Sequence, residues 1–190
     1  MKRSQLLVIK KVIILLKIIL VKNNNYHPVL RELFTEYLEW VLLKCEEEFG
    51  VNFDKSLVEE AVNNSIEELH KFFPPSGCLL LCKNENEIVG TACMRKIGEK
   101  IGEIKRMYVR PVFRGKGMGR TLLEKLIGEA QDFGYSKLRL DSGPFMKEAH
   151  GLYYSFGFRI IDPYPESEVL GENIPKEISE NWIFMEMDLK

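Results

Sequence analysis

Three glycines at alternate positions, Gly115, Gly117 and Gly119, stand in the segment Arg114-Gly115-Lys116-Gly117-Met118-Gly119-Arg120-Thr121. Before it, Glu103 to Val109 reads as a strand closed by Pro111. After it, Leu122, Leu123, Leu126, Ile127, Ala130 and Phe133 recur at helical spacing, and Gly134 suits a C-terminal cap. A strand that passes into a helix through such glycines can turn tightly and bring its backbone close to a ligand. The helix start offers N–H groups without intrahelical partners, at the positive end of the helix dipole. Together these make a cradle for a phosphate.

Charge sharpens this reading. The chain carries 27 basic and 28 acidic residues, a net charge of −1, so it has no global field for nucleic acid. Between Glu103 and Glu124, however, there is no acid, while Lys105, Arg106, Arg110, Arg114, Lys116 and Arg120 are basic. A local excess in a neutral chain points to a polyanionic ligand. Two common phosphate motifs fail on spacing. The P-loop needs GxxxxGK[ST], and Arg120 stands where its second glycine would be. The dinucleotide fingerprint GxGxxG does not match Gly115-x-Gly117-x-Gly119.

With 190 residues, 45% of them apolar, the chain suits one globular domain. Polar Asn23–Asn25 precedes a helix over 28–49, with Gly50 as its stop. Asp54 caps a second helix running to about Phe73, where Pro74 and Pro75 end it. Strands are expected at 18–22, 78–83, 87–95, 103–109, 137–141, 158–161 and 182–189, with a turn at 84–86 and a short helix at 146–156. The order β-αα-βββ-α-β-α-ββ implies an α/β fold (a mixed, α+β-like sheet) with helices on both faces. Cys45, Cys78, Cys82 and Cys93 lack CxxC spacing and a secretory signal, so they read as reduced thiols packed as small hydrophobes. His27, His70 and His150 are too scattered for a metal site.

The glycine segment resembles the acetyl-CoA motif [R/Q]-x-x-G-x-[G/A] of the GNAT superfamily, with Arg114, Gly117 and Gly119 at its fixed positions. Glu103 to Pro111 looks like that family's fourth strand. Ala149-His150-Gly151-Leu152-Tyr153-Tyr154-Ser155-Phe156-Gly157-Phe158 looks like its A-x-x-L-Y-x-x-x-G-F segment. The resemblance covers roughly 103–160. It implies an enzyme, a GNAT-like N-acetyltransferase that moves acetyl from acetyl-CoA, its cosubstrate, directly to a primary amine, without a metal. Met107, Tyr108 and Val109 would pair with the pantetheine amides, as an added strand does. Gly115, Lys116, Gly117, Met118, Gly119, Arg120 and Thr121 would hold the pyrophosphate, with charge from Arg114, Lys116 and Arg120. Tyr153 would donate to the thiolate, with Tyr154 as its alternative, and Glu103 would act as base. One departure is Met146 in Asp141-Ser142-Gly143-Pro144-Phe145-Met146, where many relatives carry an asparagine.

The acceptor pocket would be built from 28–73 and 162–181, where Glu59, Glu60, Glu67, Glu68, Glu166, Glu168 and Glu172 form either an acidic rim for a cationic amine or simply solvated faces. Peptide N-termini, amino acids, polyamines and aminoglycosides all stay open, as does a homodimer. The rival reading is a non-catalytic CoA-binding module. A basic, apolar extension is expected at 1–17, ahead of a domain at 18–190. Three lysines, Lys10, Lys11 and Lys17, interrupt its apolar run, which argues against a membrane span. Arg3, Lys10 and Lys17 recur every seven residues, as in a helix lying on a membrane surface, but the strand at 18–22 is the preferred reading and membrane contact is not expected. The expected location is the cytoplasm.

Overall fold

The computed structural model describes residues 16–171 and 173–190, and for Asn24 the backbone only. Strand β1 (Leu16–Leu20) leads to helices α1 (His27–Phe49) and α2 (Ser56–Glu67). Three strands follow: β2 (Cys78–Asn84), β3 (Glu87–Gly98) and β4 (Ile101–Val109). Then come α3 (Met118–Asp132), β5 (Lys137–Ser142), α4 (Lys147–Phe156), β6 (Arg159–Ile161), α5 (Lys176–Ser179) and β7 (Ile183–Asp188). The seven strands form one sheet in the order β1-β2-β3-β4-β5-β7-β6. β4 and β5 run parallel, and every other neighbouring pair is antiparallel. The expected α/β order is thus present, with α5 as an addition inside the loop expected before the last strand.

Local chemistry explains the boundaries. Gly50 ends α1 in the left-handed region (φ 67°), and its N–H donates to the Glu46 carbonyl at 3.0 Å. The Asp54 carboxylate accepts the Ser56 N–H at 2.8 Å and opens α2. That helix stops at Glu67 rather than Phe73, and Glu68–Phe72 tightens into a 3₁₀ turn. Phe73 precedes a proline and is extended (ψ 153°), so a helix cannot run through it. β1 lies two residues before its expected position. Leu16, Ile18 and Leu20 pack toward the α3 face, Ile19 and buried Val21 toward the α1 face, and Val21 N–H still bonds Leu79. The boundary expected between 17 and 18 therefore falls inside a strand. Lys17 is an exposed strand residue, while Arg3 and Lys10, the other members of the proposed membrane-facing stripe, lie outside the described residues. No helix among the described residues is long and apolar enough to cross a membrane.

Helices cover both faces. Leu122, Leu123 and Leu126 of α3, with Tyr153 of α4, pack on Cys78, Leu80, Cys82, Met94 and Leu138. Leu30, Leu33 and Phe34 of α1 and Val62 of α2 pack on Leu79, Leu81, Cys93 and Tyr108 from the other side. β2 is buried on both faces, which is why it reads as an unbroken apolar run. All four cysteines are buried and unpaired. Burial pushes the thiols of Cys45 and Cys82 up to about 11 and that of Cys93 up to about 12, which keeps them inert at neutral pH.

Two irregularities in β4 position the site. β4 pairs with β5 from Ile101↔Lys137 only as far as Ile104↔Leu140, after which the two strands part. Across the strand, Thr91 faces Tyr108 and Cys93 faces Lys105, so Arg106 and Met107 both lie opposite Ala92. This is a β-bulge, and Arg106 adopts φ 49° to make it. Leu123 is fully buried where α3 meets the sheet. Leu123→Ala is expected to lower unfolding free energy by about 2–5 kcal/mol in urea titrations. A loss below about 1 kcal/mol would mean that α3 does not anchor this face.

Candidate active site

Parting of β4 from β5 opens a cleft of about 850 Å³. Met107, Tyr108 and Val109 line one side, and Asp141 and Ser142 at the end of β5 line the other. α1 contributes Tyr37 and Trp40, α4 contributes Leu152 and Tyr153, and the loop after β6 contributes Glu168. From Lys105 onward, the edge of β4 that faces β5 has no ladder partner. It is an open strand edge, able to pair with extended amides.

The glycine turn closes one end. Gly115 (φ 73°) and Gly117 (φ 84°) take left-handed conformations, and Gly117 starts α3. Gly119 has no such requirement. A Cβ there would stand 3.6 Å from Leu152 and 3.8 Å from Met107, filling space in the cleft. Among the described residues, the N–H groups from Gly115 to Arg120 make no backbone hydrogen bond. Thr121 differs from expectation, because its N–H already donates to the Gly117 carbonyl at 3.0 Å and it does not line the cleft. Lys116 also turns away, donating to the Val112 carbonyl at 3.1 Å. Arg114 and Arg120 do line the cleft. Arg114 donates through Nε to Val109 O at 2.8 Å and lies over the rings of Trp40 and Tyr108 at 5.3 and 5.6 Å. These contacts lock its planar head in place at the mouth. Arg120 is held over Phe156 and donates to Ser155 Oγ at 3.0 Å.

Tyr153 is buried, and its hydroxyl faces the cleft with Met107 Sδ at 3.8 Å, a weak partner. Burial, reinforced by Tyr37 and Asp141, pushes the phenol above its usual value, so it holds its proton at neutral pH. Tyr154, the alternative, is about half exposed and does not line the cleft. Met146 does line it, and its sulfur is 3.3 Å from the Ser142 hydroxyl, which is also 3.0 Å from Nε2 of buried His150. Desolvation lowers the pKa of that imidazole, keeping it neutral.

Glu103 does not join this group. Its side chain is fully buried, bonded to Arg95 Nε at 2.6 Å and to the Tyr164 hydroxyl at 3.0 Å, and it does not line the cleft. Burial raises its pKa, with Lys105 and Arg95 opposing. The carboxylates that do line the cleft are Asp141, Glu168 and Glu148, the last an exposed residue in the first turn of α4 that has no cation or hydrogen-bond partner among the described residues. Asp141 accepts from Trp182 Nε1 (3.1 Å), Ser167 Oγ (2.9 Å) and Lys105 Nζ (3.3 Å). Glu168 pairs with Arg95 at 2.8 Å and Lys105 at 3.4 Å. Burial works against its charge, but Lys105, Arg106 and Arg95 outweigh it and hold this carboxyl down at about 2. Of the acids expected to rim an acceptor pocket, Glu168 alone lines the cleft among the described residues, and Glu172 lies outside them. Sequence reasoning singled out neither Asp141 nor Trp40 as cleft residues, and it named Lys105 only as part of the basic run. The one available signal was a lysine at an inward position of a buried strand.

Comparison with known proteins agrees with this geometry. The model of the Acetyltransferase (GNAT) family matches residues 30–158. An uncharacterised N-acetyltransferase of Schizosaccharomyces pombe is 32% identical over 120 residues, 62% of this chain and 72% of that protein. A crystal structure of an acyl-CoA N-acyltransferase from Klebsiella pneumoniae superposes with a TM-score of 0.66 at 20% identity, covering 93% of this chain and 99% of the other. The PaiA N-acetyltransferase of Thermoplasma acidophilum, solved in complex with coenzyme A, superposes with a TM-score of 0.64 at 17% identity, covering 90% and 99%. With its sheet parted beside an amide-lined glycine turn and more than half its length matched by the family, this chain belongs to the GNAT acetyltransferases and is an acyltransferase.

Proposed function

We propose that the protein transfers acetyl from acetyl-CoA to a primary amine in a ternary complex. The observation that carries this reading is the convergence of three features on one cleft. These are the unpaired edge of β4 from Lys105, the free N–H groups of Gly115 to Arg120, and the Tyr153 hydroxyl. The diphosphate lies on those amides at the start of α3, and Arg114 and Arg120 add charge. The pantetheine arm takes the place of the missing neighbour along Met107, Tyr108 and Val109. This directs the thioester toward Tyr153.

The thioester is already activated, so no enzyme nucleophile is needed. The amine nitrogen attacks the carbonyl carbon, the C–S bond breaks, and the sulfur leaves with the electron pair. The nitrogen sheds its extra proton as the amide forms. Tyr153 donates a hydrogen bond, and then its proton, to the departing sulfur. Its raised pKa keeps it protonated until charge develops beside it. Glu103, Asp141 and Glu168 are each already paired with a cation, which leaves none of these three to hold an ammonium. The amine therefore reacts from its neutral fraction and loses its proton to water, and Glu103 serves to fix Arg95 and Tyr164.

The direct test is thermal unfolding with acetyl-CoA, followed by free-thiol release across a panel of amines. Acetyl-CoA at about 100 times its dissociation constant should add about 2.7 kcal/mol of stability. No thermal shift rules out the cleft as a CoA site, and a shift without thiol release for any amine identifies a binder rather than an enzyme. Tyr153→Phe is expected to lower kcat by about 100-fold or more while the acetyl-CoA thermal shift persists; unchanged turnover moves the donor role to another group. The rate at subsaturating amine should rise tenfold per pH unit up to the acceptor's own pKa, with the same profile in Glu103→Gln. An additional acidic limb that disappears in Glu103→Gln would restore that residue as the base.

A further inference from the structure

Arg106 is the residue at which the backbone and the charges of the cleft both depart from the ordinary. It is one of two non-glycine residues among those described with positive φ, and the other, Glu85, lies in a hairpin turn. The bulge sends its side chain across the acceptor half of the cleft. There its guanidinium lies 5.6 Å above the Phe34 ring and donates through Nε (3.0 Å) and Nη2 (2.5 Å) to Ser65 Oγ on α2. It is largely buried but lines the cleft.

The surrounding charges are balanced, with Arg95, Lys105 and Arg106 against Glu103, Asp141 and Glu168. Their hydrogen-bond valences are not. Arg95 is used by Glu103, Glu168 and the Glu166 carbonyl. Lys105 lies between Asp141 and Glu168. Each of these three acids has cationic, hydroxyl or indole N–H partners on both oxygens. Nη1 of Arg106 is different. Its nearest acid is Glu168 at 3.8 Å, beyond hydrogen-bond length, and among the described residues it makes no hydrogen bond. Within this group of six the open valence therefore belongs to a cation, presented as a fixed planar edge suited to an oxyanion.

We propose that the acceptor amine carries its own carboxylate, and that Nη1 of Arg106 docks that group so that the amine points along the cleft toward the thioester. This deepens the acyl-transfer reading above and rests on it. An amino acid, free or at a suitable distance along a small molecule, fits these requirements. A polyamine or other purely cationic amine finds no open acid beside Arg106, where Glu103, Asp141 and Glu168 are all partnered; Glu148, which lines the cleft without a partner among the described residues, is on α4. The position of Arg106 among Ser65, Phe34 and Glu168 keeps it on the α1–α2 side, away from the turn that takes the diphosphate.

The test is free-thiol release with matched acceptors, each an α-amino acid and its primary amide, for wild type and Arg106→Asn. Asparagine tolerates the left-handed backbone, so the bulge is kept while the guanidinium is lost. Wild type should prefer the acids, and Arg106→Asn should cut that preference by about 10- to 100-fold through KM, with the acetyl-CoA thermal shift unchanged. Equal use of acids and amides by wild type, or an unchanged preference in Arg106→Asn, overturns the proposal. So does a weakened acetyl-CoA shift in the variant, because it would assign the guanidinium to the cosubstrate. A wild-type protein with no acetyl-CoA shift at all refutes the transferase reading instead, so the two failures are distinguishable.

Discussion

A sheet gains stability by pairing every strand edge, and this protein leaves one edge inside its sheet unpaired. β4 and β5 hold together for four residue pairs and then diverge, while the bulge at Arg106 and Met107 twists β4 away. Holding an arginine in the left-handed region costs roughly 1–2 kcal/mol, and each backbone group deprived of its ladder bond must find water or a ligand. The surrounding packing sustains this opening. β2 and β3 are buried on both faces, and α3 and α1 hold them like a sandwich. The irregular region is therefore confined to one side of β4, where it serves as a slot.

Everything at the site follows from that opening. Between the end of β4 at Val109 and the start of α3 at Met118 the chain must turn, and Gly115 and Gly117 supply the left-handed steps. The same turn leaves a run of amide donors facing the slot, which complements the open strand edge beside it. Tyr153 reaches the slot from α4, one layer over, where its ring packs on Phe158 at 5.7 Å while its hydroxyl stays at the surface of the cleft. A buried phenol beside a polar slot joins a rigid ring position with a polar tip.

How much of this is legible in the sequence depends on whether a residue acts through its neighbours in the chain or through distant ones. The glycine turn is a local matter, so its conformation and ligand type can be read from residues 114–120. The strands and helices are legible because apolar residues repeat with the right period. The α2 ending is not, because the constraint comes from Pro74 acting back through Phe73 on a stretch that otherwise looks helical. β1 is offset because its register is set by pairing with β2, a partner about 60 residues away. The site electrostatics are the least legible. Glu103 at the start of a buried strand looks exposed and available in the sequence, but Arg95 and Tyr164, brought in from β3 and from the loop after β6, enclose it. The Lys105, Asp141 and Glu168 grouping likewise spans three separate elements. Lys116 and Thr121 sit within the right turn, yet their side-chain direction and helix bonding remove them from the cleft.

The central claim is that an unpaired edge of β4 and the amide-lined turn before α3 act together as one receptor for a long, diphosphate-bearing arm. Backbone amide NMR during titration with coenzyme A tests it most directly. The account predicts large shifts for the amides of Gly115 to Arg120 and of Met107 to Val109, saturating together at one affinity, with β1 and β2 unperturbed. Saturable binding whose shifts fall elsewhere, or that move the turn but leave Met107 to Val109 unchanged, would contradict it.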